Sequence, residues 1–277
     1  MDVIKIAAFS DGQAGGNPAG VWIADHFPTD AEMQRIAAEV GFSETVFAIP
    51  CADAWRVRYF SPETEIPFCG HATIALGAAL GLKHGDGVFS LILNQTAITV
   101  ESSCKDGLIT AALQSPRTHS TPASSELASS ALALFNYTSD DLDLRIPPAR
   151  IHAGADHLIL ALKSRQALAS MHYDLSAGRI FMHQEGLATI LLAYAETSQL
   201  FHTRNPFASG GVYEDPATGA ATAAIGGYLR DLNWPHGGQI DVIQGKDMGM
   251  RSLLRATIPP LPGHSIRVSG TARIMPS

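Results

Sequence analysis

The residues of this chain that could do chemistry cluster at the predicted starts of two helices. A helix start offers unpaired backbone N–H groups and a partial positive charge, which together bind a carboxylate or a phosphate. Acid and base side chains beside such an anion are placed for proton transfer. The pattern therefore predicts proton-transfer chemistry on a small anionic substrate. The candidates of the first half of the chain are Cys69 and His71, on either side of Gly70. Those of the second half are Glu214, Asp215 and Thr218, which precede Gly219.

Glu44 is a further candidate, because its carboxylate lies within the otherwise apolar segment 41–47. Apolar surroundings raise the pKa of a carboxyl group, which is what a general acid/base near neutral pH needs. The opposite interpretation is a glutamate at the edge of a strand that faces water. The sequence pattern leaves both interpretations open.

The helix-start candidates also have ordinary structural interpretations. His71 fits a helix-capping or hydrogen-bonded core histidine as well as a functional one. Asp215, which precedes Pro216, fits an N-cap of the second helix. Cys69 fits a small buried residue. No one of these residues decides by itself between a structural and a functional role.

The elements that must position these residues are strands around two apolar helices. The segment from Thr29 to Glu32 has the capping-box pattern and predicts a helix that ends at Gly41. Residues 71–82 and 219–232 are rich in small apolar residues, which predicts two buried helices. Helical segments are also predicted at 124–135, within a polar connection at 115–148, and at 165–171 and 187–195. Most of the other segments have β-type apolar content.

The two apolar helices resemble each other in sequence. Residues 69–80 align with residues 218–229 at an offset of 149, and six of the twelve positions are identical. An arginine followed closely by a phenylalanine and a proline precedes each segment, at Arg58 and at Arg204. One interpretation is that small residues recur by chance in buried helices. The favoured interpretation is a duplicated α/β unit in which each half wraps a sheet around one central helix.

The composition excludes several classes of protein. The 277 residues carry 19 Lys and Arg against 26 Asp and Glu, a net charge of −7, which does not fit a nucleic-acid-binding surface. The longest apolar stretches, 72–82 and 187–195, are too short to span a bilayer. The first residues lack the basic region of a signal peptide, and three cysteines are too few for a disulfide scaffold. A cytoplasmic protein with no nucleic-acid or membrane partner is the expectation.

Six segments together resemble the PhzF-like family of phenazine-biosynthesis isomerases and epimerases. The elements Ser-Glu-Thr, Gly-His-Ala-Thr and Glu-Asp-Pro-x-Thr-Gly, in this order, form a specific signature. The resemblance implies the α+β, diaminopimelate epimerase-like fold, with two pseudo-symmetric lobes at 1–118 and 119–277 and a final strand that crosses back to the first lobe. It also implies an active site in the cleft between the lobes. The matching segments are 16–21, 42–47, 58–62, 69–73, 214–219 and Gln244-Gly245 with Arg251.

The resemblance further implies a role for each candidate. Glu44 is the general acid/base that takes a proton from carbon and returns it elsewhere, while His71 and Asp215 hold and polarise the substrate. The substrate is a small carboxylate, no cofactor or metal takes part, and the protein is a homodimer. The best-known reaction of the family isomerises a dihydro-hydroxyanthranilate. The residues implied to bind substrate are Asn17, Cys69, Gly70, Ala72, Thr218, Gly219 and Ala220.

Two departures from related proteins bear on the function. Many family members have a serine after the second Thr-Gly, where this chain has Ala220, so a hydroxyl donor to the substrate is missing and the phenazine substrate is in doubt. Two-thiol racemases carry a cysteine at both helix starts, whereas the second start here is Thr218, a poor base. Ala220 leaves open a carboxylate-binding protein with weak turnover. Metal-assisted hydrolysis is a third hypothesis, for which His71 and Asp215 would supply only two ligands.

Overall fold

The computed structural model describes residues 3–276 and divides into two compact units. Unit 1 comprises Met1–Gln114 and Val268–Ser277, and unit 2 comprises Ser115–Arg267. Each unit contains a sheet and one almost wholly buried helix, and each has an apolar core of its own. Within residues 3–276, no helix combines the length and the apolar character that crossing a membrane requires.

Unit 1 is a barrel of eight strands closed around a helix. Neighbouring strands run in the order β17–β1–β2–β3–β4–β6–β7–β8, and β8 pairs with β17, which closes the barrel. Two pairs of neighbouring strands are parallel, and a helix crosses over between the strands of each pair. Helix α1 (Asp30–Val40) connects β2 to β3, and helix α2 (Gly70–His84) lies between β4 and β6. The strands are β1 (Ile4–Ser10), β2 (Asn17–Ile23), β3 (Glu44–Cys51), β4 (Ala54–Phe60), β5 (Glu65–Ile66), β6 (Gly87–Ile92), β7 (Ala97–Lys105), β8 (Leu108–Gln114) and β17 (Arg267–Ile274).

Helix α2 lies inside the barrel of unit 1 because it is apolar on every side. All its residues from Gly70 to Gly81 are buried, and it contacts β1, β2, β7 and β8. Its glycines let the sheet approach closely, because a Cβ atom on Gly77 would overlap Val100 and one on Gly81 would overlap Ser102. The predicted buried helix is confirmed, and its small residues are explained by packing against β7.

Helix α1 covers the outside of strand β3, which carries Glu44. The Thr29 side chain accepts a hydrogen bond from the backbone N–H of Glu32, and the Glu32 side chain accepts one from the backbone N–H of Thr29. Gly41 ends the helix with a left-handed φ of 72°. Met33 of α1 packs against Phe47 of β3 in a small apolar cluster. The predicted helix and both of its ends are confirmed.

The described part of unit 2 contains eight strands: seven are paired in the order β9–β10–β11–β12–β13–β15–β16, and β14 pairs with β13. Helix α6 (Gly219–Asp231) is buried from Gly219 to Arg230 and packs against β9, β10 and β16. Helices α3 (Ser125–Leu134), α4 (Arg165–Ala169) and α5 (Leu175–Glu185) pack in a separate apolar cluster with β11 and β12. The strands are β9 (His119–Pro122), β10 (Ala149–His152), β11 (Asp156–Ala161), β12 (Thr189–Ala195), β13 (Leu200–Phe207), β14 (Val212–Asp215), β15 (Gln239–Gln244) and β16 (Ser252–Thr257).

The repeat seen in the sequence extends to the order of the elements. The hairpin β4–β5 leads into α2 and then β6, which is parallel to β4, and the hairpin β13–β14 leads into α6 and then β15, which is parallel to β13. The recurring arginines have matching partners: Arg58 pairs with Glu65 of β5, and Arg204 pairs with Glu214 of β14. The arginine motif therefore ties the central hairpin together in each unit, and the predicted duplication is confirmed in the fold.

One predicted helical segment, at 187–195, is wrong. The chain forms strand β12 there, and a helix that the sequence analysis missed, α5, precedes it. Ile190 and Leu192 pack in the cluster with α5, while Leu191 is buried as well, so the strand is covered on both faces and shows no alternation. A continuous apolar run of this kind has no period that separates a strand from a buried helix.

Gly77→Ala is expected to lower the free energy of unfolding by about 1–3 kcal/mol, because the added methyl group overpacks against Val100. Gly226→Ala, at the matching position of α6, is the control. Its Cβ would lie 3.4 Å from Ile258 and Ile266, an ordinary contact, and alanine is favoured over glycine within a helix by about 1 kcal/mol. Urea unfolding of both variants measures the difference. Equal losses of stability would contradict the packing described for α2.

Candidate active site

Glu44 is the first residue of β3, and its side chain is buried rather than facing water. Burial raises the pKa of its carboxyl group to about 7, although hydrogen bonds with the Ser43 and Cys69 side chains act in the opposite direction. The apolar segment around Glu44 thus produces the environment that the sequence indicated. At neutral pH, both the protonated and the ionised state of the Glu44 carboxyl group are therefore populated.

His71 lies in the first turn of α2, with only 3% of its surface exposed. Its Nε2 atom is 3.2 Å from Glu44 Oε2 and 3.5 Å from Ser43 Oγ. Among the described residues, Glu44 Oε2 has no donor aligned with it, so the short distance is not a formed hydrogen bond. Burial lowers the pKa of the imidazole to about 3, so His71 is neutral wherever Glu44 titrates.

Cys69 is the N-cap residue of α2 and contacts the same imidazole ring. Its Sγ atom is 3.3 Å from His71 Nδ1. The same sulfur is 4.0 Å from His71 Nε2, and the thiol also contacts the Glu44 carboxyl group. These three side chains, the sequence candidates of unit 1, form one buried group at the start of the central helix.

A hydrogen-bonded support holds this helix start in place. The Thr73 hydroxyl donates to the backbone carbonyl of Cys69 at 2.6 Å, and the same hydroxyl lies 2.7 Å from Tyr59 Oη. Tyr59 is buried in β4, and its burial raises the pKa of the phenol above the usual range, so it remains a neutral hydrogen-bonding group. Tyr59 and Thr73 were not among the sequence candidates, since their contact joins a strand to a helix and leaves no local signal.

The second set of candidates, in unit 2, forms a hydrogen-bonded ring before α6. The Thr218 hydroxyl donates to Asp215 Oδ2 at 2.5 Å, and Gln244 Nε2 donates to the Asp215 carbonyl at 2.6 Å. Gln244 Oε1 also accepts from the backbone N–H of Thr218 at 3.1 Å. Gly245, which follows Gln244, must be glycine, because a Cβ there would lie 2.8 Å from the carbonyl oxygen of Pro216.

The two central helices differ from the other α-helices of residues 3–276 in how they begin. The N-cap residues of α1, α3, α4 and α5 are Thr29, Ser124, Ser164 and Asp174, and each side chain accepts a backbone N–H of its own helix. Cys69 and Thr218, the N-cap residues of α2 and α6, make no such bond. The N-cap of α6 is thus Thr218 and not Asp215. The first backbone N–H groups of α2 and α6 are therefore not bound by their own N-cap side chains.

Glu214, a candidate by position, has a structural partner instead. Its carboxylate oxygens accept hydrogen bonds from Arg204 at 3.0 and 2.5 Å, and both side chains are buried. The same guanidinium donates to the backbone carbonyls of Ala169 and Met171. A buried charge paired in this way holds β14 against β13 and the segment after α4, so Glu214 is not available for proton transfer.

The other predicted substrate-binding residues lie at the ends of buried elements. Asn17 is the first residue of β2, opposite Ala8 of β1, and 2% of its surface is exposed. Gly70 and Ala72 lie in the first turn of α2. Gly219 and Ala220 are the first two residues of α6, and both are buried. Their contact with a substrate stays a prediction from the resemblance.

One part of this site has the donor types that hold a metal ion. One ligand atom each from Glu44, Cys69 and His71 lies within 4.8 Å of the others. Carboxylate, thiolate and imidazole are all ligands of Zn²⁺. The metal hypothesis from the sequence paired His71 with Asp215 and did not include this set of three.

The fold is the α+β, diaminopimelate epimerase-like fold expected from the sequence. A solved structure described as a predicted epimerase from Pseudomonas aeruginosa is similar to this chain with a TM-score of 0.86. The similarity covers 99% of this chain and 96% of that chain, at 23% identity. It places the protein in this fold class.

The model of the PhzC-PhzF family, described as phenazine biosynthesis-like protein, matches residues 6–276. The chain belongs to this family, and it is an isomerase. It is 30% identical to the trans-2,3-dihydro-3-hydroxyanthranilate isomerase of Pseudomonas chlororaphis, over 91% of this chain and 88% of that protein. It is 29% identical to the uncharacterized isomerase YfhB of Bacillus subtilis, over 98% of this chain and 95% of that protein.

Proposed function

We propose that the protein is a cofactor-independent isomerase or epimerase that moves a proton on a small carboxylate, with Glu44 as the general acid/base. One observation carries the proposal: a buried carboxyl group with a pKa of about 7 lies 3.2 Å from a neutral imidazole. A general acid/base works best when its pKa lies near the working pH. Glu44 meets this condition, whereas His71, with a pKa of about 3, does not.

The two protonation states of Glu44 supply the two halves of a proton shift. As a carboxylate it removes a proton from a substrate carbon, and as a carboxylic acid it returns that proton to another position. His71 remains neutral during both steps. A neutral imidazole polarises a substrate oxygen through an N–H donor without adding a positive charge, which would lower the pKa of Glu44.

The substrate carboxylate is proposed to bind the free backbone N–H groups at the start of α2. The N-cap residue Cys69 does not occupy them, and the helix dipole favours an anion there. The negative charge of the whole protein does not attract an anion, so local donors must hold it. The part of Asp215, Thr218, Gly219 and Ala220 in substrate binding stays a prediction from the resemblance.

The substrate class is proposed from the family and limited by Ala220. The relative from Pseudomonas chlororaphis is named for trans-2,3-dihydro-3-hydroxyanthranilate, which is a carboxylate. We carry over the carboxylate class alone, because Ala220 has no hydroxyl group where many relatives have a serine. A site that lacks one hydrogen-bonding group selects a different substrate.

Exchange of substrate hydrogen with solvent tests the proposed function. The protein is incubated in D₂O with a panel of small amino and hydroxy carboxylates, and deuterium at carbon is followed by NMR spectroscopy. We expect label in at least one carboxylate, at a rate that EDTA does not change. A carboxylate that raises the melting temperature but acquires no label would favour the alternative, a carboxylate-binding protein with weak turnover. Loss of exchange in EDTA, with recovery on adding Zn²⁺, would favour metal chemistry at Glu44, Cys69 and His71.

A further inference from the structure

Three side chains of metal-ligand type share one face of the sheet in unit 2, and none of them belongs to the site described above. They are His119 of β9, His152 of β10 and Asp156 of β11. His119 lies directly opposite His152, and His152 lies directly opposite Asp156. Directly opposed residues on neighbouring strands project to the same face. The register of three strands therefore brings two imidazoles and one carboxylate together.

The distances between these groups are those of a compact cluster. His152 Nδ1 is 2.7 Å from Asp156 Oδ1, and the His119 and His152 rings stack with their centroids 4.4 Å apart. One ligand atom from each of the three residues lies within 4.8 Å of the other two. We propose that His119, His152 and Asp156 form a binding site for a divalent transition-metal ion of the Zn²⁺ type.

The donor set favours such an ion over Mg²⁺ or Ca²⁺. Imidazole nitrogen suits Zn²⁺ and its neighbours in the first transition series, whereas Mg²⁺ and Ca²⁺ prefer oxygen ligands. Zn²⁺ holds nitrogen and oxygen ligands at about 2.0–2.2 Å in a tetrahedron, so its ligand atoms lie about 3.4 Å apart. The ligand atoms must therefore shift by about 1 Å, and the stacked imidazole rings must turn until each points a nitrogen at the ion. His119 and Asp156 are exposed and free to rotate by that amount. Two histidines and one carboxylate leave a fourth position open for water.

The backbone holds two of the three ligands in advance. His152 and Asp156 flank the turn of the β10–β11 hairpin, where Gly154 adopts a φ of 93° that permits the tight reversal. His119 comes from β9, more than thirty positions earlier in the chain. A bound ion would therefore tie β9 to this hairpin, and it would stabilise the folded state by binding to it.

Calorimetric titration with ZnCl₂ tests the site on full-length protein without a histidine tag, after treatment with EDTA. The variants are made in a Cys69→Ser background, which removes the sulfur ligand of the cluster of Glu44, Cys69 and His71. In this background we expect one saturable Zn²⁺ site. Loss of an outer-shell partner of a metal ligand weakens metal binding by roughly 10–100-fold. In that background, His119→Asn and His152→Asn should each weaken Zn²⁺ binding by more than this, because each removes a ligand itself. His183→Asn, an exposed histidine of α5, is the matched control and should leave binding unchanged.

Thermal unfolding gives an independent readout. In the same Cys69→Ser background, Zn²⁺ should raise the melting temperature of the parent protein and of His183→Asn, and it should not raise that of the His119→Asn or His152→Asn variants. Mg²⁺ at the same concentration should have no effect. Absence of saturable Zn²⁺ binding, or binding that survives both histidine substitutions, would overturn the proposal.

Discussion

Glu44→Gln is expected to raise the free energy of unfolding at pH 8 by roughly 3 kcal/mol, because a pKa raised from 4.5 to about 7 is a folding penalty of that size. Between these two pKa values the folded state binds the proton more tightly than the unfolded state. Stability therefore falls as the pH rises from 4.5 to 7, and the full penalty is present above pH 7. The glutamine amide is similar in shape to the carboxyl group and carries no charge, so the variant avoids this penalty.

The pH dependence of the gain identifies its cause. The difference between Glu44→Gln and the unchanged protein should shrink toward zero as the pH falls to 4.5, when the Glu44 carboxyl group is protonated in both states. Glu39→Gln, on the exposed side of α1, is the matched control, and its surface pair with Arg35 contributes little at any pH. Chemical denaturation at several pH values measures both variants. A gain that is equal at pH 5 and pH 8, or a loss of stability at pH 8, would contradict a raised pKa at Glu44.

Glu44→Gln is also expected to slow solvent exchange of a substrate by roughly 10²–10⁴-fold, the usual contribution of a general acid/base. An amide accepts no proton from carbon at neutral pH, whereas the shape of the site and the N–H groups of α2 are unchanged. Binding of the same carboxylate, measured as a rise in melting temperature, should therefore persist. The exchange assay and the thermal shift are read on the same variant, with Glu39→Gln again as control. Exchange at the full rate in Glu44→Gln would show that another group moves the proton.

These two expectations describe one variant that is more stable and less active. A carboxyl group buried in apolar surroundings destabilises the fold, and the same burial gives it a pKa suited to proton transfer. Such a cost is typical of functional sites, where stability is given up for reactivity. A purely structural role for Glu44 predicts the reverse, since removal of a well-satisfied buried group lowers stability.

Local signals in the sequence were enough to predict the elements that carry the site. The capping box at Thr29 and the glycine at position 41 set the ends of α1, because both act through bonds within the helix. The small apolar residues of α2 predicted its burial, since a helix without a polar face needs protein on every side. Glu44 and His71 were identified as candidates from the composition of their own segments.

Contacts between distant segments set the features that local signals missed. The run 189–195 forms a strand because it pairs with β11 and is covered by α5, and neither contact is visible in its own seven residues. The Tyr59–Thr73 hydrogen bond and the Arg204–Glu214 pair likewise join elements that are separate in sequence. The helix α5 did carry local signals, an aspartate N-cap at position 174 and a glycine at position 186, but its apolar periodicity is weak.

The most direct test of the central claim is the pKa of the Glu44 carboxyl group itself. The carboxyl carbon of ¹³C-labelled glutamate is followed by NMR spectroscopy as the pH is varied, and the Glu44 signal is assigned by its absence from Glu44→Gln. The burial of Glu44 beside a neutral His71 predicts a titration midpoint near pH 7. A midpoint near 4.5, the ordinary value for glutamate, would contradict the proposed general acid/base.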